Sequence, residues 1–151
     1  MRDETVSQLN HLVEVCRNGQ HGFCQAAERS GDPHLQAILA EYASQREQFA
    51  AQLRYQVSKL GARPHDSGSV AGAFHRGWMG VRKTISSDAD RTLIRECERG
   101  ERFALASYKL ALQHRLEPDV ANLVEDQRAQ IEIAYRRLQE LQKRVCEQAA
   151  C

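Results

Sequence analysis

The chain has 151 residues, the size of one ordinary domain and enough to bury a core without staples. Its 21 basic and 20 acidic residues leave a net charge of +1 with both signs interspersed, which excludes the one-signed basic surface that nucleic-acid binding needs. No stretch approaches the ~20 apolar residues that span a bilayer, and the opening MRDETVSQLNHLVEVC has no apolar run long enough for a signal peptide, so a cytoplasmic protein is expected. The five cysteines (Cys16, Cys24, Cys97, Cys146 and Cys151) are odd in number and form no CxxC pair. In that compartment they read as reduced thiols.

Four long helices follow from the spacing of the apolar residues. The first is expected over about residues 3–30, with Thr5 and Gln8 at capping-box spacing and a seam of Val6, Leu9, Val13, Cys16, Gln20, Phe23 and Ala27. Gly31, Asp32 and Pro33 then supply a C-terminal glycine, an N-cap and a proline at the first position of the next helix. That second helix runs to Leu60 and stops at Gly61, on a seam of Leu35, Leu39, Tyr42, Arg46, Phe49, Leu53, Val57 and Leu60. So short a break forces an antiparallel hairpin.

A third helix over about residues 88–115 carries Ile94, Cys97, Glu101, Ala104, Tyr108 and Ala111. Pro118 opens a fourth, with Gln127, Ile131, Ala134, Leu138, Leu141 and Val145 on its seam and Glu132 and Tyr135 on its shoulder. This is a second hairpin. Between the hairpins, residues 61–87 begin glycine- and serine-rich and continue as an expected short helix over about 70–85, capped by Ser69. At ~1.5 Å per helical residue and up to ~3.5 Å per extended one, that segment is long enough to run the length of the bundle as a crossover. The expectation is a single all-α domain over residues 1–151, a ferritin-like four-helix bundle in which the first and third helices are antiparallel. Cys16 and Cys97 then lie ~12 Å apart along the axis, beyond disulfide reach.

At or beside the middle of each apolar seam stands a polar residue: Gln20, Arg46, Glu101 and Glu132. In any four-helix packing these fall in about one layer, and a buried charged layer needs a physical reason. GQHGFCQAAE in the first helix is loosely echoed by GERFALASY in the third, as if one hairpin were a copy of the other.

On CRNGQHGF, YASQREQFAAQL, SGSVAGAFHRGW, ECERGERFALASY and IEIAYRRL the chain resembles rubrerythrin and the ferritin-like di-iron proteins. It is more closely similar to an uncharacterised bacterial ferritin-like family described as a domain of unknown function. The resemblance covers essentially the whole chain. It implies a di-iron site with one Glu from each of two helices and a Glu-x-x-His from each of the other two. The matching positions are Gln20 and Glu101 for the single ligands, and Arg46 with Phe49 and Glu132 with Tyr135 for the pairs. Only two of the six keep a metal-binding type. Gln20 is a weak neutral ligand, Phe49 cannot ligate, and Arg46 is a fixed cation. The site is expected to be vestigial, with no metal or other cofactor. Either the guanidinium of Arg46 bridges Glu101 and Glu132, with Gln20 filling the remaining hydrogen-bonding needs, or Arg46 snorkels to the bundle surface and Glu132, on its shoulder position, is solvated.

Other residues read more plainly. His75, Arg76 and Trp78 form a basic and aromatic cluster on the crossover, an anchor for it or a partner surface. His11, His21, His34, His65 and His114 share no ligand spacing and are expected at the surface. Cys16, Cys24 and Cys97 are expected as small fillers of the core, and Cys146 and Cys151 in a fraying terminus. Two functions of different class remain. One is a non-enzymatic, metal-free bundle acting through homo-oligomerisation, such as a homodimer, or through a protein partner in a stress-associated role. The other is a metal-binding oxidoreductase or iron-storage protein with an altered site.

Overall fold

The structure, a computed structural model, describes residues 2–64 and 87–149. Four helices account for nearly all of them: α1 (Arg2–Arg29), α2 (Pro33–Lys59), α3 (Ser87–Leu112) and α4 (Pro118–Ala149). The expected short helix over 70–85 and the cluster His75, Arg76 and Trp78 lie outside the described residues.

Local chemistry sets the helix ends. Asp32 caps α2, its carboxylate accepting from the His34 amide at 2.9 Å, with Pro33 as the first helical residue. Gly61 ends it at a φ of 77°, the left-handed conformation that a glycine adopts without strain. The capping box expected at Thr5 and Gln8 is not an end at all. α1 already begins at Arg2, and Thr5 is buried inside it.

The helices pack as a ring in the order α1, α2, α4, α3, so that α2 faces α3 and α1 faces α4 across the diagonals. Contacts at both ends show that α1 and α3 are antiparallel: Ser30 Oγ donates to Asp90 Oδ1 at 3.0 Å, and Glu4 meets the His114 ring. With α1–α2 and α3–α4 each joined as antiparallel hairpins, α2 and α3 run in the same direction. This is the arrangement that distinguishes a ferritin-like bundle from a simple up-down one.

The core divides into two apolar ends. One holds Leu9, Leu12, Leu53, Val57, Ala111 and Val124; the other holds Phe23, Leu39, Leu93, Ile94, Cys97 and Leu138. Cys16 belongs to the first end and Cys97 to the second, as the antiparallel topology requires, and both are free thiols. Burial pushes the Cys16 thiol up to about 11 and raises Cys97 as well, so neither forms a thiolate at neutral pH. Cys24 departs from expectation. It is exposed, on the outer side of α1 near Glu28 and Glu47, rather than a filler of the core. Cys146 is half-buried and accepts from Arg91 Nη2 at 3.2 Å, so helical packing persists at that point of α4.

Thiol labelling under native conditions should therefore modify Cys24 readily, and Cys16 and Cys97 only as fast as the whole domain unfolds. Mass mapping of the labelled peptides checks this. A disulfide linking Cys16 to Cys97 in the folded monomer would contradict the topology.

Candidate functional site

One ion pair crosses the middle of the bundle on its diagonal. Arg46 of α2 and Glu101 of α3 have side chains only 1% and 2% exposed. Their contact is bidentate, with Nη1 donating to Oε1 at 2.5 Å and Nη2 donating to Oε2. The planar fork of a guanidinium matches the two oxygens of a carboxylate in this geometry, which a lysine could not do.

The surroundings fit the cation closely. Its Nε donates to Gln45 Oε1 at 3.4 Å, and the guanidinium carbon lies 5.4 Å from the ring centre of Phe23 and 5.9 Å from that of Phe49. Both rings thus act as cation-π partners as well as apolar walls. The side chain passes close to α1 at Gly19, where a Cβ would stand in ordinary van der Waals contact, 3.5 Å from Arg46 Cγ and 3.7 Å from Nη1. Burial works against both charges, and each is held by the other. The Glu101 carboxyl is raised by loss of solvent, with the Arg46 charge and hydrogen bonds pulling it back. Arg46 loses hydration too, but the facing carboxylate more than offsets that and keeps its affinity for the proton above the ordinary value.

Beside the pair runs a polar chain that joins all four helices. Cys16 Sγ and the Tyr108 hydroxyl are 3.0 Å apart, and that hydroxyl donates to Gln127 Oε1 at 2.7 Å. Gln127 Nε2 donates to Gln52 Oε1 at 2.9 Å and to the Phe49 carbonyl at 3.4 Å. Tyr108 is held well above the usual phenol range, first by burial and then by its thiol neighbour, and remains neutral. The chain satisfies polar atoms that would otherwise be orphaned in the core.

The expected four-residue layer is corrected at two positions. Glu132 does not reach the centre. Its side chain is 33% exposed, with Oε2 accepting from Arg128 Nη1 at 2.7 Å and Oε1 from Arg136 Nη2 at 3.3 Å. Those helix-surface partners, Arg128 first, hold its carboxyl below the ordinary range. Gln20 is only half-buried and contributes nothing to the pair. The α1 stripe passes from Cys16 to Phe23 through Gly19, which leaves Gln20 on the shoulder. Tyr135 is likewise on the flank of α4, its hydroxyl accepting from Gln139 Nε2 at 3.2 Å. Phe49 is buried against Arg46 as placed. Sequence reasoning missed the roles of Tyr108 and Gln127, although Gln127 carried the same signal as Arg46, a polar side chain in the middle of an apolar seam.

Ferritin-like bundles hold paired iron in this layer, and the residues here do not fit that group. Among the described residues the only carboxylate at the centre is Glu101, and it is engaged by a permanent cation. Among the described residues no cluster of three or more His, Cys, Asp or Glu side chains is placed to hold a metal ion.

Replacing Arg46 with Ala strands a buried carboxylate, and breaking a buried pair in this way costs ~3–5 kcal/mol. With the guanidinium gone, only burial acts on Glu101, so its folded-state pKa rises further above the unfolded value. Stability is then lost as pH climbs through that raised pKa, and the deficit against wild type shrinks as the pH is lowered toward the ordinary carboxyl range. Denaturant melts of Arg46→Ala at neutral and mildly acidic pH measure both effects. A deficit under ~1 kcal/mol at both would be the behaviour of a solvated pair.

Two solved structures share this architecture. A two-domain protein from Anabaena variabilis, with DJ-1/ThiJ/PfpI-like and ferritin-like domains, aligns with a TM-score of 0.80 at 15% identity. The match covers 95% of this chain but only 40% of that one, so the chain spans well under half of that protein's length. A dodecameric thioferritin, the bacterioferritin-related protein of Bacteroides fragilis, aligns with a TM-score of 0.79 at 14% identity over 99% of this chain and 90% of its own. No curated protein matches the sequence. Residues 4–114 match the family described as Domain of unknown function (DUF2383), and with a ferritin-like fold the chain belongs to that family.

Proposed function

We propose that this protein is a metal-free ferritin-like module in which a salt bridge takes the place of metal at the bundle centre, and that it acts through association with protein, including copies of itself. The bidentate Arg46–Glu101 pair carries the reading. A divalent ion at this level would have to displace a guanidinium that already holds the carboxylate by two hydrogen bonds. It would find Phe49 and the shoulder residues Gln20 and Tyr135 where the family pattern expects ligands.

Self-association is supported by analogy to the thioferritin of similar fold, which is described as a dodecamer. Exposed apolar side chains on three helices, Tyr55 on α2, Leu110 on α3 and Ile133 on α4, are available for such contacts. A bundle closed in this way is a scaffold rather than a catalyst. The Cys16 thiol beside the pair, pushed up to about 11 by burial, is not a nucleophile at neutral pH.

Protein purified without chelator and incubated with ferrous iron, manganese or zinc should retain no stoichiometric metal on elemental analysis. Two metal ions per chain, lost in Glu101→Ala, would instead establish the oxidoreductase or iron-storage alternative. Light scattering of the same preparation should give a mass above that of the 17.1 kDa monomer.

A further inference from the structure

α3 carries apolar residues on two sides. Its inner seam runs through Ile94, Cys97, Ala104, Tyr108 and Ala111, as a bundle helix requires. A second stripe lies outside. Phe103 is 59% and Leu110 54% exposed, and with Ala106, also exposed, they follow at steps of three and four residues, which puts them in line on one helix face. Single apolar side chains at a surface need no explanation, but three in line beside an opening into the bundle do.

The two flanks of the stripe differ. Toward α1 it borders a cavity of about 40 Å³, lined by Gly22, Gly100, Phe103 and Ala104 and reaching the Arg46–Glu101 pair. Among the described residues nothing lies within 4 Å of a Cβ built on Gly100, so the space beside it is open. Toward α4 the stripe borders cations: Arg102 reaches Tyr135, Lys109 acts on Glu132, and Arg95 and Arg99 continue the row, all four exposed. Glu96 pairs with Arg99 and Glu98 with Arg102, which leaves the flank net positive. Such exposed pairs contribute little and exchange readily for the carboxylates of a partner.

We infer that the outer face of α3, from Arg95 to Leu110, is a docking surface for an acidic amphipathic helix of a protein partner. The inference rests on the reading of the protein as an association module and names the kind of partner. A helix laid along α3 covers Phe103, Ala106 and Leu110 with its own apolar stripe and sets one apolar side chain over the opening beside Gly100. It turns a row of carboxylates toward Arg95, Arg99, Arg102 and Lys109. Charge decides against a second copy of α3, since pairing this face with itself brings like cations together. Area decides against an anionic membrane, which would attract the same row. Lipid would cover only the exposed parts of two large apolar side chains and leave the opening beside Gly100 unfilled, whereas membrane affinity scales with the apolar area buried.

The test titrates the full chain into a fluorescein-labelled synthetic helix with leucines at steps of three and four residues and glutamates along one flank, followed by anisotropy. A peptide with lysines in place of the glutamates is the control. The expected result is saturable binding of the glutamate peptide, at least about tenfold tighter than the control and weakening as salt is raised. Phe103→Ser with Leu110→Ser, both at exposed positions, should leave the fold intact and weaken binding at least about tenfold. Arg99→Glu with Arg102→Glu should reverse the preference, so that the lysine peptide becomes the tighter ligand. Should the serine variant not fold, that reversal decides alone. Equal binding of the two peptides, no saturation by the glutamate peptide up to about 1 mM, or an unreversed preference would overturn the proposal. So would capture of the wild type, but not of the serine variant, on phosphatidylglycerol vesicles, which is the behaviour of a membrane surface. A fall in light-scattering mass in the serine variant would overturn it as well, by making the occupant a second copy. Metal content measured on the same preparation separates the two readings: metal-loaded protein that still discriminates the peptides overturns the metal-free reading and supports this surface.

Discussion

The rest of the bundle is arranged around a guanidinium that must be neutralised without water. Arg46 sits on the seam of α2 at the middle of a core whose other members are almost all apolar, and an isolated cation there is not tolerable. Glu101 meets it from the diagonally opposite helix, so the two charges tie together the helices that lie farthest apart in the ring. The pair requires α2 and α3 to keep a fixed register along the axis. An apolar core of the same volume could slide by a turn at lower cost, whereas a bidentate contact is lost on any such shift.

The neighbouring choices of residue follow from that requirement. A glycine lies where the arginine side chain passes α1, and two phenylalanines wall its flat faces with π-electron density rather than with aliphatic carbon. Tyr108 and Gln127, one layer along, carry polar atoms into the core and answer them with each other, with Cys16 and with Gln52. The two networks together give the centre of the molecule few free donors and acceptors, the reverse of what a metal site or a general base needs. Outside both networks a cavity of about 40 Å³ remains between α1 and α3, with Asn18, Gly100 and Phe103 in its lining.

Likeness to thioferritin and to a two-domain ferritin-like protein extends to the fold, at 14% and 15% identity, and stops short of the chemistry. A four-helix bundle can exchange its central residues while keeping its outline, because the apolar ends of the core carry most of the burial energy. Leu9, Leu12, Leu53 and Leu93, Ile94, Leu138 do that work here, away from the middle. The middle layer is then free to hold ligands, a salt bridge or plain hydrocarbon.

The helices, their hairpin pairing and the burial of Arg46, Phe49 and Glu101 were legible in the sequence, because a period of three and four residues reports directly which side of a helix faces inward. The residue types at the positions where the family pattern has ligands were equally plain, since side-chain chemistry does not depend on the fold. The partners were not legible. Glu132 and Gln20 lie within one residue of the seam, and a rotation of some 100° per residue separates a core position from a solvated one. Arg128 and Arg136, each four residues from Glu132, drew it to the surface, while Gly19 rather than Gln20 took the place facing Arg46. Periodicity along one helix cannot say which residue of another helix a side chain will meet. Only the packed bundle decided that Arg46 has one carboxylate and not two, that Tyr108 and Gln127 answer each other, and that a cavity remains beside Gly100.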